Sequence, residues 1–299
     1  MSLVIDQLTK KYGNTLAVDT ISFDAQPGQV LGFLGPNGAG KSTTMKVATG
    51  YLRPDAGQVT LMGRSVTDDG MATKALIGYL PEHNPLYLDM YVPEYLAFSG
   101  QTYGVGGALL PKRVAEAIER TGLQTERHKK IGALSKGYRQ RVGLAQTLVH
   151  NPPVLILDEP TTGLDPNQIL EIRALIRQIG AEKTVVLSTH IMQEVEAVCN
   201  RYVIINKGKI AAEGQVGQQG TPTFLLEVDK PLQPEALALL DGIDTVRAAG
   251  KHTYAITFAD ERTGRAALLR HCADNNLDLR SLTRQAQSLE EIFRQATAA

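Results

Sequence analysis

The run Gly35-Pro36-Asn37-Gly38-Ala39-Gly40-Lys41-Ser42-Thr43 constrains this chain more than any other stretch. It matches G-x-x-x-x-G-K-[ST], a loop that wraps phosphate in backbone amides. The apolar run Val30–Leu34 before it reads as a buried strand, and Thr43–Leu52 after it reads as a helix. Gly35, Gly38 and Gly40 are expected to turn the backbone with its N–H groups inward, through torsions that only glycine reaches without steric cost. Inward amides and the positive end of a helix suit a polyanion. Lys41 brings a point charge to the outer phosphates, and the Ser42 hydroxyl suits magnesium. Chance would place such a match in about one chain of this length in a hundred. With the strand and helix flanking it, the loop is read as binding a nucleoside triphosphate.

A second strand ends in carboxylates. Val154–Leu157 is continuously apolar, as a parallel strand covered on both faces should be, and Asp158-Glu159 follow at its end. Asp158 is placed to hold a magnesium shell, and Glu159 to take a proton from the water that attacks the outer phosphate. Thr184–Ser188 is a further strand, delivering Thr189-His190. Loops after parallel strands share one sheet edge, where His190 could donate to the same phosphate. The other histidines, His83, His128, His150, His252 and His271, read as structural or surface groups.

The rest of the chain is organised around these strands. Short strands are expected at Leu3–Ile5, Ala17–Val18 and Ile21–Phe23, with Tyr12 in a polar turn where its ring could stack on a base. Gly57–Leu61 and Leu76–Leu80 read as strands. Helical periodicity over Val92–Tyr103, Lys112–Thr121 and Lys136–Val149 marks an insertion spanning about 85–150. Within it, Ser135 is a good helix N-cap and Gly137 permits close approach, so Leu134–Gln140 makes a second anion-ready helix start. Gly214 to Pro222 is rich in Gly and Gln, and a linker is expected at 216–222. Beyond it, over 223–299, the order β-α-β-β-α-β reads as a split βαβ, ferredoxin-like domain, with a last helix at Leu289–Gln295.

Lys+Arg and Asp+Glu are both 31, so the net charge is zero and no basic field argues for nucleic acid. Cys199 and Cys272 lack metal-ligand spacing and read as reduced, buried thiols. The N-terminus has no signal-peptide pattern, and no apolar run is long enough to span a bilayer. A membrane role would leave the spanning to other subunits.

Taken in order, Gly35–Thr43, Leu134–Gln140, Val154–Glu159, Gly163-Leu164-Asp165 and His190 resemble the ATP-binding cassette ATPases, over residues 1 to about 215. The likeness is to single-cassette subunits of bacterial exporters, of the drug-efflux and gliding-motility types, the latter through Leu80–Tyr87. The resemblance implies an α/β fold: a P-loop NTPase cassette at 1–215 with mixed sheet and helical insertion, followed by the small α+β domain. It implies ATP and Mg2+ as bound species. It implies a second cassette, most simply a homodimer, each ATP lying between Gly35–Thr43 of one copy and Ser135 and Gly137 of the other. Tyr12 would stack on adenine, Glu159 would be the base, His190 the γ-phosphate sensor, and Asp165 a link across the interface. Ser42, Glu82 and Asp158 would surround the metal. Separately encoded polytopic membrane subunits are the implied partners, with the chain peripheral on the inner face of the cytoplasmic membrane. Pro85–Leu88 could dock those subunits or could be an ordinary loop.

Two departures stand out. The family's Leu-Ser-Gly-Gly-Gln signature has Lys136 and Tyr138 in place of its first glycine and its glutamine, and Glu82 stands where glutamine is usual. A carboxylate still ligates magnesium, yet cannot donate to water as an amide would. Two other readings are weighed. A soluble cassette acting on nucleic acid or the ribosome normally carries two cassettes or long coiled-coil arms, and this chain has neither. A binding-only regulator is disfavoured because Lys41, Asp158, Glu159 and His190 are all present.

Overall fold

The computed structural model describes residues 1–217, 223–285 and 288–298. All but the first two residues of the linker expected at 216–222 therefore lie outside the described residues. Two compact units form, one of Met1–Val216 together with Phe293–Ala299, the other of Gly217–Ile292.

The first unit runs β1 (Leu3–Tyr12), β2 (Thr15–Ala25), β3 (Val30–Leu34), α1 (Lys41–Ala48), β4 (Ala56–Leu61), β5 (Arg64–Ser65), α2 (Gly70–Lys74) and β6 (Ile77–Leu80). It continues with α3 (Val92–Thr102), α4 (Leu109–Arg120), α5 (Lys136–Leu148), β7 (Val154–Asp158), α6 (Pro166–Gly180), β8 (Thr184–Thr189), α7 (Met192–Val198), β9 (Arg201–Asn206) and β10 (Lys209–Gln215). Where short strands were expected near the N-terminus, β1 and β2 form one long hairpin. Its register shifts between Ile5 and Leu8 and again after it, so the apolar alternation breaks and the sequence reads as fragments. Tyr12 accordingly ends a strand rather than sitting in a turn.

An antiparallel sheet, β2-β1-β4-β5, packs on a six-stranded sheet of order β10-β9-β3-β8-β7-β6. In the latter, β6, β7, β8, β3 and β9 are parallel and β10 is an antiparallel edge. Every residue of β3, β7 and β8 is buried, which is why these strands read as unbroken apolar runs. Phe23 of one sheet stacks on Phe33 of the other at 5.0 Å. Parallel pairing puts the C-terminal ends of β3, β6, β7 and β8 on one edge. That edge carries the glycine loop, Glu82, Asp158-Glu159 and His190.

Helices α3, α4 and α5 close over their own core of Val92, Tyr95, Leu96, Val114, Ile118 and Val142. Just past α5, His150 stacks on Tyr103 at 3.9 Å. Its Nε2 faces the Ile77 carbonyl at 3.0 Å and must carry the proton there. Its Nδ1 is buried without a partner. Burial pushes its pKa down to about 4. The unfolded chain binds a proton below the ordinary histidine pKa of 6.5, and the folded chain refuses it until about 4, so stability is lost as pH falls through that window. Near pH 5 the loss is about 2 kcal/mol. Urea unfolding of the parent and His150→Gln at pH 7 and pH 5 should show a larger drop in the parent; equal drops would refute the assignment.

The second unit contains β11 (Thr223–Val228), α8 (Pro234–Ala238), β12 (Ile243–Ala248), β13 (Thr253–Phe258), α9 (Glu261–Asp274) and β14 (Leu279–Gln285). Its sheet order is β12-β13-β11-β14, with all neighbours antiparallel. Thus β13 splits the first βαβ pair, and β14 pairs with the outer side of β11. Phe224, Leu226, Tyr254, Ile256, Phe258 and Leu268 fill its core. The last helix, α10, is Leu289–Thr297. Its end, from Phe293 on, groups with the first unit, where the Asn206 side-chain amide donates to the Ala296 carbonyl. Among the described residues, no helix is long and apolar enough to cross a membrane.

Candidate nucleotide-binding and hydrolysis site

The loop from Gly35 to Gly40 leaves β3 under tight constraints. A Cβ on Gly35 would lie 2.4 Å from the Ile205 carbonyl oxygen of β9. Its glycine is required by that approach and not, as the sequence suggests, by its torsions. Gly40 has φ +109 and a Cβ there would meet the Ala17 carbonyl at 2.5 Å, so it is held by both. Gly40 is also the N-cap of α1, which has no side-chain cap. The first-turn amides of α1 are therefore left to an outside acceptor. The helix begins at Lys41, inside the motif, and stops at Ala48 ahead of Gly50 at φ +71.

Lys41 is 6 % exposed. Its ammonium donates to the Gly35 and Pro36 carbonyls at 2.8 and 3.3 Å and lies 3.5 Å from the Glu159 carboxylate. A cleft of about 420 Å³ opens beside it, lined by Asn37, Gly38, Gly40, Lys41, Ser42, Thr43, Glu82, Glu159 and His190. Pro36 and Ala39 shape the loop from behind, the Ala39 N–H donating to the Pro36 carbonyl at 3.2 Å. Tyr12 is half exposed near the same hairpin tip but does not line the cleft; Ala17 of that hairpin does.

Glu159 is buried and sits at φ +49, a left-handed conformation that costs a side-chain-bearing residue on the order of 1–2 kcal/mol. Its N–H donates to Ser188 of β8 at 2.9 Å. Its carboxylate oxygens meet His190 Nδ1 at 3.0 and 2.9 Å. Lys41, Glu159 and His190 thus form one chain of contacts, with His190 on the open side at 44 % side-chain exposure.

Asp158 is 1 % exposed, and its Oδ1 has no hydrogen-bond partner. It lines an adjoining cavity of about 460 Å³ with Ser42, Glu82, Tyr51 and Tyr79. Ser42 and Glu82 border both spaces. The Tyr79 phenol, also buried without a partner, is pushed up by burial and by the Asp158 carboxylate. An orphaned carboxylate oxygen on a residue that lines the same cavity as a serine fits a hard cation that keeps water or phosphate in its other positions. Among the described residues no group of three or more His, Cys, Asp or Glu is arranged to hold a metal by itself. The sequence reading missed Tyr79 and Tyr51 here: Tyr79 lies in the apolar strand β6, where a tyrosine reads as core, and Tyr51 falls in the stretch read as the end of the helix after the glycine loop.

The second anion-ready element lies elsewhere. Ser135 caps α5, its hydroxyl accepting from the Tyr138 N–H at 3.4 Å. Gly137 is buried under Gln168, whose Cδ would lie 2.7 Å from a Cβ. Ser135, Gly137, Tyr138 and Asp165 line a separate cleft of about 250 Å³. Asp165 caps α6, accepting from the Gln168 N–H at 2.9 Å, while the Gln168 side chain accepts from the Asp165 N–H. None of Ser135, Gly137 and Asp165 lines the cleft of Lys41. Lys136, one of the two departures in the signature, lies over Gly163, with Nζ 1.9 Å from where a Cβ would be.

A family model described as "ABC transporter" matches residues 18–162. The "Uncharacterized ABC transporter ATP-binding protein YxlF" of Bacillus subtilis (strain 168) is 34% identical over 295 residues, covering 97% of this chain and 98% of that protein. The "Nod factor export ATP-binding protein I" of Paraburkholderia xenovorans (strain LB400) is 33% identical over 301 residues, covering 99% and 97%. Among solved structures, cbiO1 from Clostridium perfringens, part of the ABC transporter complex cbiONQ, superposes with a TM-score of 0.66 at 30% identity, over 72% of this chain and 88% of that one.

Proposed function

This chain belongs to the ABC transporter family as an ATP-binding subunit that hydrolyses ATP, and from that premise we propose that it powers an exporter by closing two copies head to tail around ATP. The observation that carries the reading is the separation of the two anion-ready helix starts. The N-terminus of α1 lies in one cleft and that of α5 in another, so a phosphate chain gripped by both needs a second chain. In that arrangement Gly35–Thr43 of one copy and Ser135 and Gly137 of the other hold the triphosphate, and Asp165 lies at the joint. Tyr12 stacks on the adenine. The relative named for Nod factor export supports export as the direction.

Within each site the residues divide the work. Lys41 leaves the Gly35 and Pro36 carbonyls for phosphate oxygens. Glu159 accepts the proton of the attacking water, and His190, in contact with it, reports the γ-phosphate. Ser42 and Asp158, with Glu82, hold magnesium, which offsets charge on the phosphates when bound.

The chain works on the inner face of the membrane through separately encoded polytopic subunits. Tyr87, Leu88, Tyr91 and Phe98 are all exposed, Tyr87 packing on Phe98 at 5.6 Å, in the stretch that follows Glu82. Such a patch is costly to leave wet. Capture of the tagged full chain from native membranes should recover a polytopic protein. A Tyr87→Asp/Phe98→Asp double variant should reduce that recovery by about tenfold, the scale of losing an aromatic anchor, with ATP affinity unchanged. Recovery of no polytopic protein by the parent would sink the transporter reading.

A further inference from the structure

Glu194, in the first turn of α7, is a carboxylate with 1 % of its surface exposed. Each of its oxygens is taken by a threonine. The Thr161 hydroxyl donates to Oε1, and the Thr189 hydroxyl donates to Oε2 at 2.6 Å. Both threonines are themselves buried. A buried carboxylate is tolerated only when its acceptors are satisfied, and here that requires two hydroxyls, one from the turn after Glu159 and one from the end of β8.

Those two segments are the ones that lead to the chemistry. Thr161 stands two residues after Glu159, and its carbonyl accepts from the Leu164 N–H at 3.1 Å, shaping the turn that leads to Asp165. Thr189 stands immediately before His190. Its hydroxyl accepts from the Ile191 N–H at 3.2 Å, and its carbonyl accepts from the Gly35 N–H at 3.4 Å. One side chain therefore ties together the turn after Glu159, the strand end before His190 and, through the Thr189 backbone, the start of the phosphate loop. No hydrogen bond or ion pair joins Glu194 to Glu159 or His190.

We infer that Glu194 is a positioning residue for hydrolysis: it clamps the turn bearing Glu159 to the loop bearing His190 and so sets the distance between their side chains. The inference rests on reading Glu159 and His190 as the hydrolytic pair. A charged acceptor suits the role because it takes two hydroxyl protons at once, which fixes both threonine rotamers. A shift of about 1 Å in such a pair is enough to slow chemistry about a hundredfold. Ground-state binding of ATP depends on the glycine loop, which meets Thr189 through its backbone at the end of the β3–β8 ladder, so it changes little when the Glu194 side chain is altered.

The test is steady-state hydrolysis and equilibrium ATP binding by the full chain. Glu194→Ala should lower kcat about ten- to hundredfold while ATP affinity stays within about threefold of the parent. Glu194→Gln should recover most of the loss, since an amide accepts from one hydroxyl and donates to the other. Thr161→Val, nearly isosteric, tests the same link should Glu194→Ala fail to fold, and is expected to lower kcat in the same sense. Combined with Glu194→Gln it should add less than the product of the two effects. A folded Glu194→Ala or Thr161→Val protein with parental kcat overturns the inference, as does a Glu194→Gln protein as slow as Glu194→Ala. His190→Ala separates the two readings: parental kcat in that variant overturns the assignment of the pair itself. A fall in kcat with His190→Ala and none with Glu194→Ala overturns only the clamp.

Discussion

Glu159→Gln is expected to bind ATP at least as tightly as the parent and to turn it over at least about a hundredfold more slowly. The amide keeps the volume of the side chain, so the φ +49 backbone at this position and the packing around it have no reason to relax. What disappears is the acceptor for the proton of water, a loss that general-base catalysis prices at about 10²–10⁴ in rate. A negative charge also disappears from a cleft about to receive a triphosphate, which removes repulsion from the bound state. The two effects together leave the closed pair of copies intact. Light scattering of the variant with ATP should report twice the mass of the chain, and with ADP the single mass. Hydrolysis at the parental rate would show that another group is the base.

Lys41→Ala should fail one step earlier. The ammonium is held at the loop by two carbonyls, at 2.8 and 3.3 Å, and by Glu159 at 3.5 Å. Hydrogen bonds from a charged donor to phosphate contribute about 1.5–3 kcal/mol each, so ATP affinity should fall by at least about tenfold to a hundredfold. The variant should therefore show weak binding, and little turnover at ATP concentrations that saturate the parent. Lys41→Arg is not a remedy, because a planar guanidinium does not fit a pocket built for a compact ammonium. Titration of a fluorescent ATP analogue checks the binding. Parental affinity in Lys41→Ala would mean that the loop amides alone grip the phosphates.

Much of the cassette is legible in the sequence because its central strands are covered on both faces. Burial of that kind writes continuous apolar runs, and Val30–Leu34, Val154–Leu157 and Thr184–Ser188 are found where the structure has β3, β7 and β8. The β1–β2 hairpin is not legible in the same way, since Gln7 at φ 47 and Thr20 at φ 54 interrupt its alternation. The helix after the glycine loop is misread at both ends for a related reason: a left-handed Gly40 starts it within the motif and Gly50 ends it. At the site, Asp158, Glu159 and His190 stand out in sequence because charged or polar groups follow apolar strands, Lys41 and Ser42 because they close the glycine motif, and Glu82 through the family resemblance. Glu194 does not stand out. Its neighbours in sequence are ordinary helix residues, and only the fold reveals that Thr161 and Thr189 both reach it.

The last residues of the chain, from Phe293 on, belong with Met1–Val216 rather than with the segment that precedes them. The smaller unit is thus lodged inside the larger in the order of the polypeptide, entered after Val216 and left before Phe293, instead of hanging from one end. Severing the backbone once near residue 217 yields a cassette stripped of its own closing piece, with the Asn206 amide deprived of the Ala296 carbonyl. Two cuts and a rejoining, not one, would be needed to free the cassette whole.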